Sequence, residues 1–328
     1  MNNKQQNCFE IVDANLFKQW SIHLALFLNQ SETNIEAILH QLLKAYQSRT
    51  IKTRLNIINK FSYFPGYPFI ISGTFVEHIN YVCHSLNLAV TKEIPKIPIF
   101  AFQKSASSYI SVVLCHLFDI LPTVLSYEHQ IGMSAWANAF SKWGGIIHDH
   151  YHPNTSNLKI LYKAGIKKCI IHYRHPVNTL ISYAFHMVNR TLYIDKEKLT
   201  NEAERIALVR DYLNQNMEMI LCRYSSWLRA WRKEGASGQM EILETTYEDM
   251  ITDQKMYFAR ILAFNHINYN ESSLEHVLHE LRRQRTNNSY NIRKASPNEW
   301  QEILTPQQVK RVKRIVDKQF QGEFTNIF

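Results

Sequence analysis

A lysine and three serines stand together in Gln103-Lys104-Ser105-Ala106-Ser107-Ser108, just ahead of an apolar stretch at helical spacing. One ammonium, three hydroxyls and the partial positive end of a helix are what an anion needs. A nucleoside-triphosphate loop would read G-x-x-x-x-G-K-[ST], whose glycines let the backbone wrap the phosphates. Only Lys104-Ser105 matches that text, and no glycine is nearby. The plain alternative is that Ser107 or Ser108 caps the helix. A second cation, Arg174, follows the apolar run KCIIHY, with Ser182 eight residues further on and Pro176 between them. A guanidinium forks onto phosphate oxygens, and a serine in the following helix would add a donor from another direction. The alternative is an Arg174 paired with a carboxylate and a Ser182 buried in its helix. Between these two places lies GGIIHDHYHP, in which His148, His150 and His152 alternate around Asp149. Alternate residues of an extended chain share a face, so zinc or iron ligation, proton transfer and plain solvation are all open there.

These residues need elements to hold them. The texture changes at Ile94, where IPKIPIFAF gives a short apolar run that reads as a buried strand ending at Phe102. SYISVVLCHLFDIL then has helical periodicity. KCIIHY is a second strand, and Pro176 sits where a first helical turn tolerates it. MEILET at 240–245 is a third, followed by an amphipathic stretch from Met256 to Phe264. Strands alternating with helices predict an α/β fold with a central parallel sheet flanked by helices. In such sheets ligands bind beyond the carboxyl ends of the strands, where the Lys104 loop and Arg174 both fall. Residues 1–94 read instead as a mostly helical extension. Leu16, Trp20, Leu24 and Phe27 form one stripe and Ile35, Ile38, Leu39, Leu42, Leu43 and Tyr46 another, with a break at FPGYPF. The domain reading is 1–94 and 95–328.

Taken together, four pieces in order resemble the PAPS-dependent sulfotransferases. F-Q-K-S-A-S-S-Y is similar to their 5′-phosphosulfate loop, Y-P-K-S-G-[ST]-[ST]-W. KCIIHY with Arg174, Pro176 and Ser182 resembles their 3′-phosphate motif. Tyr247-Glu248-Asp249-Met250 resembles Y-E-D-[LM], and Arg293-Lys294-Ala295-Ser296-Pro297-Asn298-Glu299-Trp300 resembles R-K-G-x-x-G-x-W. The resemblance spans about residues 95–315 and implies the P-loop-kinase-like sulfotransferase fold, with the donor PAPS and the product PAP. It places Lys104, Ser105, Ala106, Ser107, Ser108, Tyr109, Arg174, Ser182, Tyr247, Arg293 and Lys294 at the nucleotide. It assigns Lys104 to the leaving phosphate and a histidine to the general base, with no metal. Aligning the strand end before the family's K-T-H-x-P-like segment selects His150, then His148. Counting back from Arg174 selects His152. Variable loops, here 120–145, 185–215 and 265–290, would build the acceptor pocket.

The departures are specific. Ala106 stands where the family has glycine, so a positive φ there would be strained. Gln103 replaces a proline, Ala295 and Asn298 replace glycines, and Tyr109 replaces a tryptophan that stacks on adenine, keeping an aromatic face. These changes leave a catalytically inactive binding relative as an alternative, beside a divergent P-loop kinase.

Composition agrees with a globular enzyme. The chain has 328 residues, 45% hydrophobic and 20% charged, which excludes disordered, collagenous and coiled-coil classes. Lys plus Arg number 37 against 28 Asp plus Glu, a net +9 that suits an anionic ligand. The basic residues Arg282, Arg283, Arg285, Arg293, Lys294, Lys310, Arg311, Lys313 and Arg314 would also suit nucleic acid, but a solvated helix face accounts for the last four, and no nucleic-acid partner is expected. Five cysteines, Cys8, Cys83, Cys115, Cys169 and Cys222, are widely spaced with no C-x-x-C pair, as in reduced thiols. No signal-like start and no run of about 18 apolar residues occurs, so we expect a soluble, cytoplasmic protein acting on a small-molecule or carbohydrate acceptor. Nothing in the sequence sets the oligomeric state.

Overall fold

The computed structural model describes residues 94–284, apart from 119, 121, 124, 128–130, 133 and 196–201, together with 299–324. The helical extension expected before Ile94 lies outside these residues, as do Cys8, Cys83, Arg293 and Lys294. In chain order the elements are β1 (Lys96–Ala101), α1 (Ser107–Phe118), β2 (Pro122–Thr123), β3 (Ser126–Tyr127), β4 (Ile131–Gly132), α2 (Ser134–Trp143), β5 (Gly145–Asp149) and α3 (Thr155–Lys163). Then come β6 (Lys168–Tyr173), α4 (Pro176–Asp195), α5 (Glu202–Ala236), β7 (Glu241–Thr246), α6 (Tyr247–Thr252), α7 (Gln254–Phe264), α8 (Glu271–Gln284), α9 (Glu299–Ile303) and α10 (Pro306–Phe320). The alternation of strands and helices is the α/β order that the sequence predicts.

Two compact units divide these elements, and the division falls inside β1, α1, β6 and α8. The first comprises residues 94–100, Ser108–Cys169 and Asn265–Val277. The second comprises Ala101–Ser107, Ile170–Phe264 and the described residues from Leu278 onward.

In the first unit β1 and β2 both pair in parallel with β5, with Ile97 opposite Ile146 and Ile99 opposite His148. Ile97, Ile99, Phe100, Ile146 and Ile147 are fully buried, which is why these strands read as continuous apolar runs and not as alternating ones. The double glycine before β5 has a steric cause. Gly144 has φ +80° and a Cβ there would overlap the Ile94 carbonyl, while the Gly145 N–H donates to the Pro95 carbonyl at 2.8 Å. Asp149, fully buried at the end of β5, accepts from the Leu125 N–H (3.0 Å), the Ser126 N–H (2.8 Å) and the Ser126 hydroxyl (2.8 Å). A buried carboxylate so satisfied ties the 125–126 backbone to β5. Asn154 caps α3 by accepting the Asn157 N–H at 2.9 Å, and the Asn157 amide donates to the His152 carbonyl at 2.8 Å. The histidine segment is thereby fastened at its far end.

In the second unit β6 lies beside β7. Helix α5, 35 residues long, buries Val209, Leu213, Met217, Ile220, Leu221, Tyr224, Trp227, Leu228 and Trp231 at spacings of three and four. It packs against α4 and α10. Helix α10 begins with a full capping box: the Thr305 hydroxyl accepts the Gln308 N–H and the Gln308 side chain accepts the Thr305 N–H, with Pro306 in the first turn. Arg232 of α5 donates to Glu244 of β7 at 2.9 Å and to Glu323 at 2.6 Å, joining the helix to the strand and to the chain beyond α10. Most of the expected variable loop at 185–215 is therefore corrected to helix, the end of α4 and the first third of α5. Its alternation of apolar and charged residues is a helix stripe, which the sequence reading left unassigned. No helix among the described residues is long and apolar enough to cross a membrane.

Candidate functional site

The lysine loop continues from the end of β1 into α1, and its backbone is held by side chains that the motif does not contain. The Phe102 N–H donates to the His172 carbonyl of β6 at 3.0 Å, and the Phe102 ring stacks on Tyr224 of α5 with centroids 4.3 Å apart and on the edge of Trp227 at 5.7 Å. Ser105 is fully buried and turned inward: its hydroxyl donates to the Phe102 carbonyl at 2.7 Å, and its own carbonyl lies 2.8 Å from His172 Nε2. Ser105 is therefore a structural serine of the loop. Ser107, buried, and Ser108, exposed, open α1, with Tyr109 half-buried behind them.

Lys104 and Ala106 flank Ser105 with φ of 66° and 67°. The strain foreseen at Ala106 is real: the loop adopts the left-handed conformation at the position where the resembling motif has glycine, at a cost of about 1–2 kcal/mol for an L-residue. Such a conformation persists only where surrounding bonds over-determine it. The Ser105 and Phe102 contacts do so here. The half-buried Lys104 ammonium titrates below the usual lysine range, first because burial strips it of water and second because Arg174 repels it.

Arg174 follows β6 directly. Its guanidinium lies over the Tyr247 ring, 4.3 Å from the centroid, and its Nε is buried with no hydrogen-bond partner. Its side chain forms no ion pair with any described residue, whereas its carbonyl is doubly held, by Thr179 Oγ1 at 3.2 Å and the Tyr224 hydroxyl at 2.5 Å. Tyr247 opens α6, where Thr246 caps the helix by accepting the Asp249 N–H. The neighbouring Glu248 carboxyl accepts the His175 N–H at 3.1 Å, and burial pushes its pKa up. Ser182 is half-buried two turns into α4. A buried guanidinium whose Nε lacks a partner, close to a half-buried ammonium and with only the Glu248 carboxyl to offset it, suits an anion that would neutralise both cations. The residues present thus fit a phosphorylated ligand.

In the first unit His148, on β5, and His150, just past it, are both half-buried, with ring centroids 5.6 Å apart and planes at 83°. The alternation read from the sequence brings these two rings together. Asp149 points elsewhere, into its bonds with residues 125 and 126. No group of three His, Cys, Asp or Glu with metal-binding geometry occurs among the described residues.

Sequence reasoning missed His172. It is fully buried, with Nδ1 facing Thr245 Oγ1 (3.0 Å) and the Tyr257 hydroxyl (2.9 Å). Burial lowers its pKa to about 4, so it is neutral. The one signal available was a histidine inside an otherwise apolar strand.

No curated protein matches the sequence. Among solved structures, the chain is similar to mouse sulfotransferase SULT7A1 complexed with PAP, at 16% identity and a TM-score of 0.48, over 70% of this chain and 86% of that one. The lysine loop precedes the segment in which a family model matches. That segment, residues 146–324, contains β6, Arg174, Ser182 and Tyr247 and matches the sulfotransferase domain over more than half of the sequence. By that match the chain belongs to the sulfotransferase domain family.

Proposed function

We propose that the protein transfers a sulfuryl group from PAPS to a hydroxyl or amine of a small-molecule or carbohydrate acceptor. The observation that carries this is the proximity of Lys104 and Arg174: a half-buried ammonium and a buried guanidinium close enough to repel, with the Arg174 Nε left without a hydrogen-bond partner. Bound PAPS would supply the sulfuryl group and a leaving phosphate oxygen. Lys104 and the amino end of α1 face the 5′ side in this reading and stabilise the charge that grows there as the sulfur–oxygen bond breaks. Arg174, over the Tyr247 ring, holds the 3′-phosphate with Ser182, the resemblance adds Arg293 and Lys294 to that role, and Tyr109 offers its ring to the base. His150 takes the proton that the acceptor loses as its oxygen or nitrogen bonds to sulfur, with His148 second in rank. In-line transfer of this kind leaves the protein mainly positioning and charge stabilisation to supply.

The test offers ³⁵S-labelled PAPS with a panel of phenols, alcohols and sugars. Labelled product is expected in the presence of EDTA, and Lys104→Ala lowers its rate by about 10²–10³, the scale for removing one preorganised donor. Transfer of phosphate from ATP, lost with EDTA and restored by magnesium, would support a kinase instead.

A further inference from the structure

We infer that His172 is a positioning residue for the anion loop: its imidazole holds the Ser105 carbonyl inward and so aims the Ala106 N–H at the bound anion. The inference rests on the reading of that loop as the 5′-phosphate site. The hydrogen bonds fix the tautomer. A carbonyl oxygen only accepts, so the Nε2 facing Ser105 at 2.8 Å carries the proton. Nδ1 is then the acceptor, and the Tyr257 hydroxyl at 2.9 Å is its donor, while Thr245 Oγ1 can donate to the Ile171 carbonyl at 3.3 Å. Every member of this buried set has a partner in one consistent arrangement. Burial raises the Tyr257 pKa, so its proton is retained, and keeps His172 neutral.

The consequence for the loop follows from the peptide unit. Peptide bonds here are trans, so the Ser105 C=O and the Ala106 N–H belong to one plane and point in opposite directions. With the carbonyl fixed toward a fully buried histidine, the N–H points away from it, out of the protein core. The positive φ at Ala106, 67°, is the torsion that sets this plane relative to the start of α1. Glycine would reach that torsion freely, but an alanine needs an external hold, and the imidazole provides it. Arg174 follows the same strand two residues after His172, so β6 carries the hold on the loop and leads directly into the second cation.

Calorimetric titrations of AMP, adenosine 3′-phosphate and PAP test this on the full chain. His172→Leu is expected to weaken AMP and PAP by about tenfold, the value of one hydrogen bond to a charged group. Adenosine 3′-phosphate is expected to bind as in the wild type. His172→Gln, whose amide N–H can occupy the place of Nε2–H, restores the affinity, whereas His172→Asn, too short to reach Ser105, resembles Leu. If Leu unfolds the protein, the Gln and Asn pair reads the same bond. Unchanged AMP and PAP affinities in the Leu and Asn variants overturn the inference, as does an equal loss for all three nucleotides. A wild type that binds adenosine 3′-phosphate but neither AMP nor PAP refutes the loop reading itself, and the inference falls with it.

Discussion

Replacing Arg174 by Met keeps an apolar stem on the Tyr247 ring and removes only the charge and its donors. Arg174 is 9% exposed, its Nε has no hydrogen-bond partner, and its guanidinium carbon lies 4.3 Å from the Tyr247 centroid. Truncating one member of a buried, charged hydrogen-bonded pair costs about 2–5 kcal/mol. The methionine stem keeps the packing on Tyr247, so the lower part of that range, a loss of about 2–4 kcal/mol, is expected for PAP. That is about 30- to 900-fold in Kd, at 1.36 kcal/mol per factor of ten. AMP, which lacks the 3′-phosphate, should change less than about threefold on the same grounds. Titration calorimetry of both nucleotides against both proteins gives the four constants. An equal loss for PAP and AMP would place Arg174 elsewhere than at the 3′-phosphate, and no loss for either would remove it from the site.

His150→Ala should reduce the rate of sulfuryl transfer by about 10²–10⁴ with PAP affinity retained, and the same change at His148 or His152 by less than tenfold, measured with labelled PAPS. A dead His152→Ala variant would move the base to that residue. His172 also predicts a pH dependence of stability. Its folded-state pKa of about 4 lies below the unfolded value of about 6.5, so its contribution is complete above pH 6.5 and is lost as the unfolded chain takes up a proton between pH 6.5 and 4. The loss is about 3 kcal/mol, and urea unfolding at pH 7, 5.5 and 4.5 should show a shallower slope for His172→Gln. Ala106→Gly releases the left-handed strain but gains entropy in the unfolded chain, so a net stabilisation of no more than about 1 kcal/mol is expected, a small rise in Tm, with PAP binding kept.

The fold and the charges of the site were legible because both depend on local text. Apolar runs ending in Phe102 and Tyr173, a lysine among serines and an arginine before Pro176 name strand, loop and helix in turn. The risk at Ala106 was also legible, since glycine and alanine differ in a single conformational preference, and the observed φ is on the wrong side for alanine. What was not legible depends on contacts between distant residues. His172 meets Ser105, Thr245 and Tyr257, and Phe102 stacks on Tyr224, more than a hundred residues later. No spacing rule reaches across such separations. Helix α5 escaped for another reason: its stripe is diluted by charged residues on the exposed face, and the resemblance drew part of it as loop. The resemblance places Ser105 at the nucleotide, and the bond from its hydroxyl to the Phe102 carbonyl is a loop contact that no motif displays.

The most direct measurement is a calorimetric titration of the intact protein with PAP in the presence of EDTA, set beside AMP and ATP with magnesium. The account predicts that PAP binds without metal and well ahead of AMP, because Lys104 and Arg174 each take one of its two phosphate sites. Absence of PAP binding, or preferential binding of ATP that requires magnesium, would contradict it.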